Sequence, residues 1–165
     1  MSEPKKTTEA ILQEADRIEE DCLYSGKSLL NSADVWNWVH YGLGIPAVIL
    51  GALAAADITN ISELCAAAAT LLVAISTFSN PSQKSSERSV AGNGYLALCK
   101  RVRRFREIDM LIEDQGIARE QLEALAEERD ALNEGTPNPL SWGFNKARTG
   151  IEEGEAEYRV DKGEA

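Results

Sequence analysis

The sequence predicts an all-α membrane protein, a two-helix transmembrane hairpin carried on long cytoplasmic helices that form a coiled-coil-like bundle. Two apolar runs free of formal charge sit close together in the chain, Lys and Arg are absent between them but abundant after the second, and the remaining sequence repeats its apolar residues at helical spacing. Each of these observations has a direct physical reading.

The charge-free runs are Val35 to Ala56, 22 residues with His40 neutral, and Leu64 to Gln83, 20 residues. A helix rises about 1.5 Å per residue, so roughly 20 residues cover the ~30 Å hydrocarbon layer and both runs are long enough. Whole-chain averages, 44% apolar and 27% charged over 165 residues, conceal this segregation. Two spans fit, at 36–56 and 64–80, and a third does not.

The chain preceding the first span reads as a cytoplasmic helix over 8–34, capped by Thr7 or Thr8. Its seam, Ile11, Ala15, Ile18, Cys22, Ser25, Leu29, Ser32 and Trp36, alternates by four and three. That stripe is thin, so the helix needs partners. Trp36, Trp38 and Tyr41 cluster where the apolar run begins, as amphipathic rings do at headgroup level. Pro46 within the first span predicts a local kink.

The second span ends at Asn80-Pro81, a helix stop. Cytoplasmic helices follow over 84–134. Tyr95, Leu98, Val102, Phe105, Ile108 and Ile112 make one amphipathic stripe, Gly116 breaks it, and Ala118, Leu122, Leu125 and Leu132 make another with Arg129 on the same seam. Gly135-Thr136-Pro137 closes that helix. Residues 135–165 read as a C-terminal tail, acidic and half-ordered from Gly150 onward.

Orientation follows from Lys and Arg rather than net charge. The connector from Asp57 to Glu63 has none, the segment from Lys84 to Arg106 has seven, and Lys27 precedes the first span. Both ends are therefore expected in the cytoplasm and the connector outside. More than 30 acidic, helix-periodic residues precede the first apolar run, which does not fit a cleaved signal peptide. Cys22, Cys65 and Cys99 are widely spaced and odd in number, and His40 is the single histidine, which argues for reduced thiols and against a disulfide framework or zinc site.

The inventory also disfavours an enzyme. No glycine-rich phosphate loop and no Gly-x-Ser-x-Gly motif is present, and carboxylate pairs such as Glu127-Glu128 sit on charged faces. No catalytic, metal or cofactor residues are assigned.

Three patterns are candidates for function. Small residues recur every four positions, at Ala47, Gly51 and Ala55 and again at Ala66, Thr70 and Ala74. Such faces let backbones approach closely in lipid, either within the hairpin or between subunits. Thr70, Ala74 and Thr77 share one face of the second span, and that stripe can line a pore, or the hydroxyls can bond back to their own backbone carbonyls. Lys100, Arg101, Arg103, Arg104 and Arg106 lie opposite the Leu98, Val102, Phe105 stripe. Attraction to anionic headgroups, worth about 1 kcal/mol per residue, is the leading reading. Salt bridges to the acidic helices come next, and nucleic acid last.

Taken in order, His40-Tyr41-Gly42-Leu43-Gly44-Ile45-Pro46-Ala47, Phe78-Ser79-Asn80-Pro81, Tyr95-Leu96-Ala97-Leu98 with the Arg-rich helix after it, and Ala147-Arg148-Thr149-Gly150-Ile151 resemble the SLATT family. These are two-transmembrane effectors associated with SMODS nucleotidyltransferases and SLOG sensor domains in bacterial conflict systems. The resemblance covers roughly residues 10 to 160, with Ser79 departing from the larger apolar residue expected there. It implies a homo-oligomeric, pore-forming effector of abortive, anti-phage defence in the bacterial inner membrane. It further implies a trigger from outside the chain, such as a nucleotide-signal-producing or sensing protein from the same operon, or one that binds at the cytoplasmic helices. From the spans and the basic cluster themselves, membrane lipid rather than nucleic acid is the expected partner. A non-conducting membrane scaffold that presents its cytoplasmic helices to a partner fits the same residues. A soluble bundle fits poorly, because the apolar runs are uncharged on every face.

Overall fold

The computed structural model describes residues 3–56, 61–112 and 114–155. Among them every regular element is helical: α1 (Glu3–Ala56), α2 (Ser62–Ser79), α3 (Pro81–Arg104), a π-helical turn (Phe105–Asp109), α4 (Met110–Ile112), α5 (Gln115–Gly135) and α6 (Ser141–Glu152). Most of the connector, 57–60, and the end of the tail, 156–165, lie outside the described residues. The chain divides into two compact units, residues 1–32 with 88–165, and residues 33–87.

The first unit contains the start of α1, most of α3, and everything after it. Its core is the seam expected from the sequence: Ile11, Ala15, Ile18, Cys22 and Leu29 of α1 pack with Tyr95, Leu98, Cys99, Val102 and Phe105 and with Ala118 of α5. Three-four spacing puts these residues on one side of each helix, and burying a side chain the size of Ile, Leu or Phe contributes about 1.5–3 kcal/mol. Two glycines set the closest approach of α1 and α3. A Cβ on Gly26 would stand 3.1 Å from the Gly92 carbonyl oxygen, and one on Gly92 would stand 3.0 Å from that of Gly26. Backbone yields there less readily than a side chain, so glycine at both positions lets the two helices lie this close.

The helix does not start where a threonine cap predicts. α1 begins at Glu3, and the Thr8 hydroxyl instead accepts a hydrogen bond from Gln115 Nε2 at 2.8 Å. The stripe on α3 is also interrupted. Tyr95, Leu98, Val102 and Phe105 are buried, but Ile108 and Ile112 are 50% and 79% exposed. The cause is the π turn: the Met110 N–H donates to the Phe105 carbonyl, five residues back. One extra residue in the turn rotates the chain beyond it by roughly 100°, given 3.6 residues per α turn. Met110 thereby reaches the core in place of the two isoleucines.

The region read as a tail contains α6. Its buried residues, Gly143, Ala147 and Gly150, form a small-residue face, and Gly143 is seated on α1. A Cβ there would come 2.3 Å from Ser32 Oγ and 2.7 Å from the Ser28 carbonyl. The Leu140 N–H donates to Ser32 Oγ at 2.9 Å, Asn31 Nδ2 to the Gly143 carbonyl at 3.4 Å, and Lys27 Nζ to Glu155 Oε2 at 3.1 Å.

The second unit holds the end of α1, all of α2 and the first turns of α3. α1 continues as helix through Pro46. α2 stops as the sequence predicts: Asn80 adopts a left-handed conformation (φ 47°, ψ 51°), which asparagine tolerates, and its N–H bonds the Ser76 carbonyl at 3.1 Å. Pro81 then opens α3 at the first helical position, where its missing N–H costs nothing. That corner is held to α1 by Ser85 Oγ, which donates to the Ala33 carbonyl at 2.9 Å, and by Lys84 Nζ, 4.4 Å from the Trp36 ring centre.

Candidate functional site

Two helices are long and apolar enough to cross a membrane, and their most apolar stretches are 6% and 11% buried. Exposed large side chains run along both, from Trp38 (78%) to Leu53 on α1 and from Leu64 to Phe78 (91%) on α2. A water-soluble core helix hides such residues, whereas here they cover several sides of each helix.

The small residues divide into two sets. Ala47 is buried, and α2 is buried at Cys65 and Ala69. Leu43, Gly44, Ala47 and Val48 of α1 and Leu72, Val73, Ser76 and Thr77 of α2 line one groove of about 260 Å³ within this unit. Ala66, Thr70 and Ala55 are exposed, Gly51 and Ala74 half-buried, and a Cβ on Gly51 would meet nothing within 4 Å. The face of α2 that is buried is thus the Cys65-Ala69 face. Ala is so common throughout that span that this face does not stand out in the sequence; its one signal is the four-residue spacing of Cys65 and Ala69.

Thr70 and Thr77 share an exposed face of α2. Each hydroxyl donates to the carbonyl four residues back, Thr70 to Ala66 and Thr77 to Val73, both at 2.9 Å. That bond occupies the hydroxyl hydrogen and leaves the oxygen's remaining acceptor capacity outward.

The basic cluster lies in the first unit and three of its five members are ion-paired there. Glu19 is 7% exposed. Arg103 Nε donates to its Oε1 at 2.7 Å, and Arg106 Nη1 stands 3.0 Å from its Oε2 and 2.6 Å from Asp16 Oδ1. Arg101 pairs with Glu128 of α5. Arg106 is held above its ordinary pKa: burial pulls it down, but bonds to Asp16 and Glu107 and the Glu19 charge outweigh that. Lys100 and Arg104 are exposed and have no ion pair among the described residues. The spacing of the cluster reveals its common face, but not that Asp16 and Glu19 lie within reach.

Arg101 and Arg104 also line a cleft of about 290 Å³ between the end of α3 and α5, together with Phe105, Asp109, Gln121, Ala124, Leu125 and Glu128. The cysteines are free and buried. Burial, reinforced by Cys99 and Asp21, pushes the Cys22 thiol up to about 12, and burial raises Cys99 as well. Among the described residues no group of three His, Cys, Asp or Glu side chains is placed to hold a metal ion. No family model, no curated protein and no solved structure matches the chain.

Proposed function

We propose that the chain is a two-span membrane effector of the SLATT kind, which oligomerises in the bacterial inner membrane and permeabilises it on activation. The observation that supports this best is the exposure of the two apolar helices. With 6% and 11% of their most apolar stretches buried, they need lipid or other copies of the chain around them.

In this reading α1 and α2 cross the membrane as a hairpin, and residues 1–34 and 84–165 lie in the cytoplasm. The Cys65-Ala69 face and Ala47 pack the hairpin, while Gly51, Ala55 and Ala66 are left for neighbouring subunits. Thr70, Ala74 and Thr77 face the aqueous path: an uncharged helix with outward hydroxyl oxygens can meet water without burying a charge. Activation comes from the product of a neighbouring gene or a signal it makes. Of the basic cluster, Lys100 and Arg104 are the members available to a headgroup.

A second reading, a non-conducting scaffold, is favoured by the back-bonded threonines, whose hydrogens are already used. Inducible expression with a membrane-potential dye, alone and beside the neighbouring genes, separates the two. The pore reading expects depolarisation in at least one condition. Normal potential in both, with the protein present in the membrane fraction, leaves the scaffold.

A further inference from the structure

The cleft between α3 and α5 brings unlike chemistry together. On one wall, Arg101 and Arg104 are separated by one helical turn and so share a face of α3. On the other, Gln121 supplies an amide and Glu128 a carboxylate, and Phe105 with its apolar neighbours forms the floor. A π-helical turn, a departure from regular helix frequently found at functional sites, contributes both Phe105 and Asp109 to the lining. At about 290 Å³ the cleft falls just below the roughly 300–1,000 Å³ usual for small-molecule sites, a size for a small ligand or one end of a larger one.

We propose that this cleft binds the phosphate group of a small phosphomonoester, gripped by Arg101 and Arg104, with Glu128 as the counter-ion that the ligand displaces. Two guanidiniums a turn apart present two planar forks, which suits the three terminal oxygens of a phosphate better than the two of a carboxylate. Arg104 has no ion pair among the described residues. The Arg101–Glu128 pair is half exposed on both sides, 46% and 45%, and pairs of that exposure contribute little, so a phosphate can replace the carboxylate. Two carboxylates balance the two arginines while the cleft is empty of ligand, and moving Glu128 away turns its field positive. The chain's net charge of -10 opposes anions at long range, but screening over about 8–10 Å leaves the two guanidiniums lining the cleft to set the local field. The apolar floor accommodates the uncharged part of the ligand. This site does not depend on whether the hairpin conducts.

The phosphate can belong to a soluble metabolite or to a lipid headgroup, and titration calorimetry on the full chain in a phosphate-free maltoside detergent distinguishes them. AMP is the soluble probe, dioctanoyl phosphatidic acid the lipid probe, and adenosine and dioctanoyl glycerol are their phosphate-free controls. At least one phosphate probe is expected to bind saturably and its control not at all. Arg104→Gln should weaken that binding about tenfold or more, and Glu128→Gln should tighten it severalfold. Arg104 is exposed and unpaired, so Arg104→Gln leaves the helix content by circular dichroism at the parent's value. AMP alone binding identifies a soluble ligand, and phosphatidic acid alone a headgroup. Absence of saturable binding by both overturns the proposal, as does equal binding by Arg104→Gln, and weaker binding by Glu128→Gln overturns the displaced counter-ion.

Discussion

Removing the Glu19 carboxylate tests whether the arginines of α3 serve the fold or the surroundings. Glu19→Ala takes the charge-assisted bond at 2.7 Å from Arg103 and the contact at 3.0 Å from Arg106. Breaking a fully buried pair costs about 3–5 kcal/mol. Here the two guanidiniums remain 24% and 32% exposed, and Arg106 keeps Asp16 at 2.6 Å, so the cost falls to about 2 kcal/mol, the range of a hydrogen bond to a charged group. At roughly 2–4 °C per kcal/mol for a chain of this size, the melting temperature should drop by about 4–8 °C, followed by far-ultraviolet circular dichroism in neutral detergent. Arg104→Ala is the comparison and should stay within about 0.5 kcal/mol of the parent. If Glu19→Ala melts with the parent and Arg104→Ala, the ion pairs are incidental and the arginines are free to face a membrane.

Three further outcomes rest on the packing and the thiols. Gly143→Val must displace Ser32 or the α1 backbone, since even a Cβ comes within 2.3 Å. It should release α6, raising proteolysis and hydrogen exchange across Ser141–Glu152, whereas Gly135→Val, with nothing within 4 Å, should not. Gly51→Leu meets open space within its own chain and should leave helix content unchanged while reducing crosslinked oligomer in membranes; an unchanged oligomer removes Gly51 from the subunit contact. Cys22, pushed up to about 12, carries its proton through the range where an exposed thiol ionises near 8.5. Its contribution to stability is therefore complete below about 8.5 and lost as pH rises toward about 12. Iodoacetamide at pH ~9 should label it slowly in the folded chain and rapidly after denaturation, and equal rates would place it outside the core.

A pore also makes a demand on the threonines. Thr70→Leu combined with Thr77→Leu should abolish depolarisation and toxicity while preserving membrane insertion and oligomer size. Retained toxicity would take the hydroxyl stripe off the conducting path.

The parts legible in the sequence are those governed by one helix at a time. The α1 seam was legible because burial there needs only three-four spacing, and the Asn80-Pro81 stop because a left-handed asparagine followed by proline is a local device. Ile108 and Ile112 leave their stripe because a single π turn shifts the phase of every later residue without any marker in the sequence. α6 escaped because its docking face is glycine and alanine: Gly143 has no apolar signal of its own and acquires meaning only from Ser28 and Ser32, over a hundred residues away. The arginine cluster was visible as charge, but its counter-ions on α1 were not, since a sequence shows which face a residue is on and not what stands opposite.

The two-span hairpin is tested most directly by labelling single introduced cysteines, Asn60→Cys in the connector and Ser86→Cys at the start of α3, with an impermeant maleimide on intact cells. The native thiols are buried and give little background. A hairpin with both ends inside predicts that Asn60→Cys labels from outside and Ser86→Cys only after lysis. Labelling of Ser86→Cys without Asn60→Cys would reverse the orientation, and full protection of both in intact cells, with the protein in the soluble fraction, would mean that the apolar helices do not cross a membrane at all.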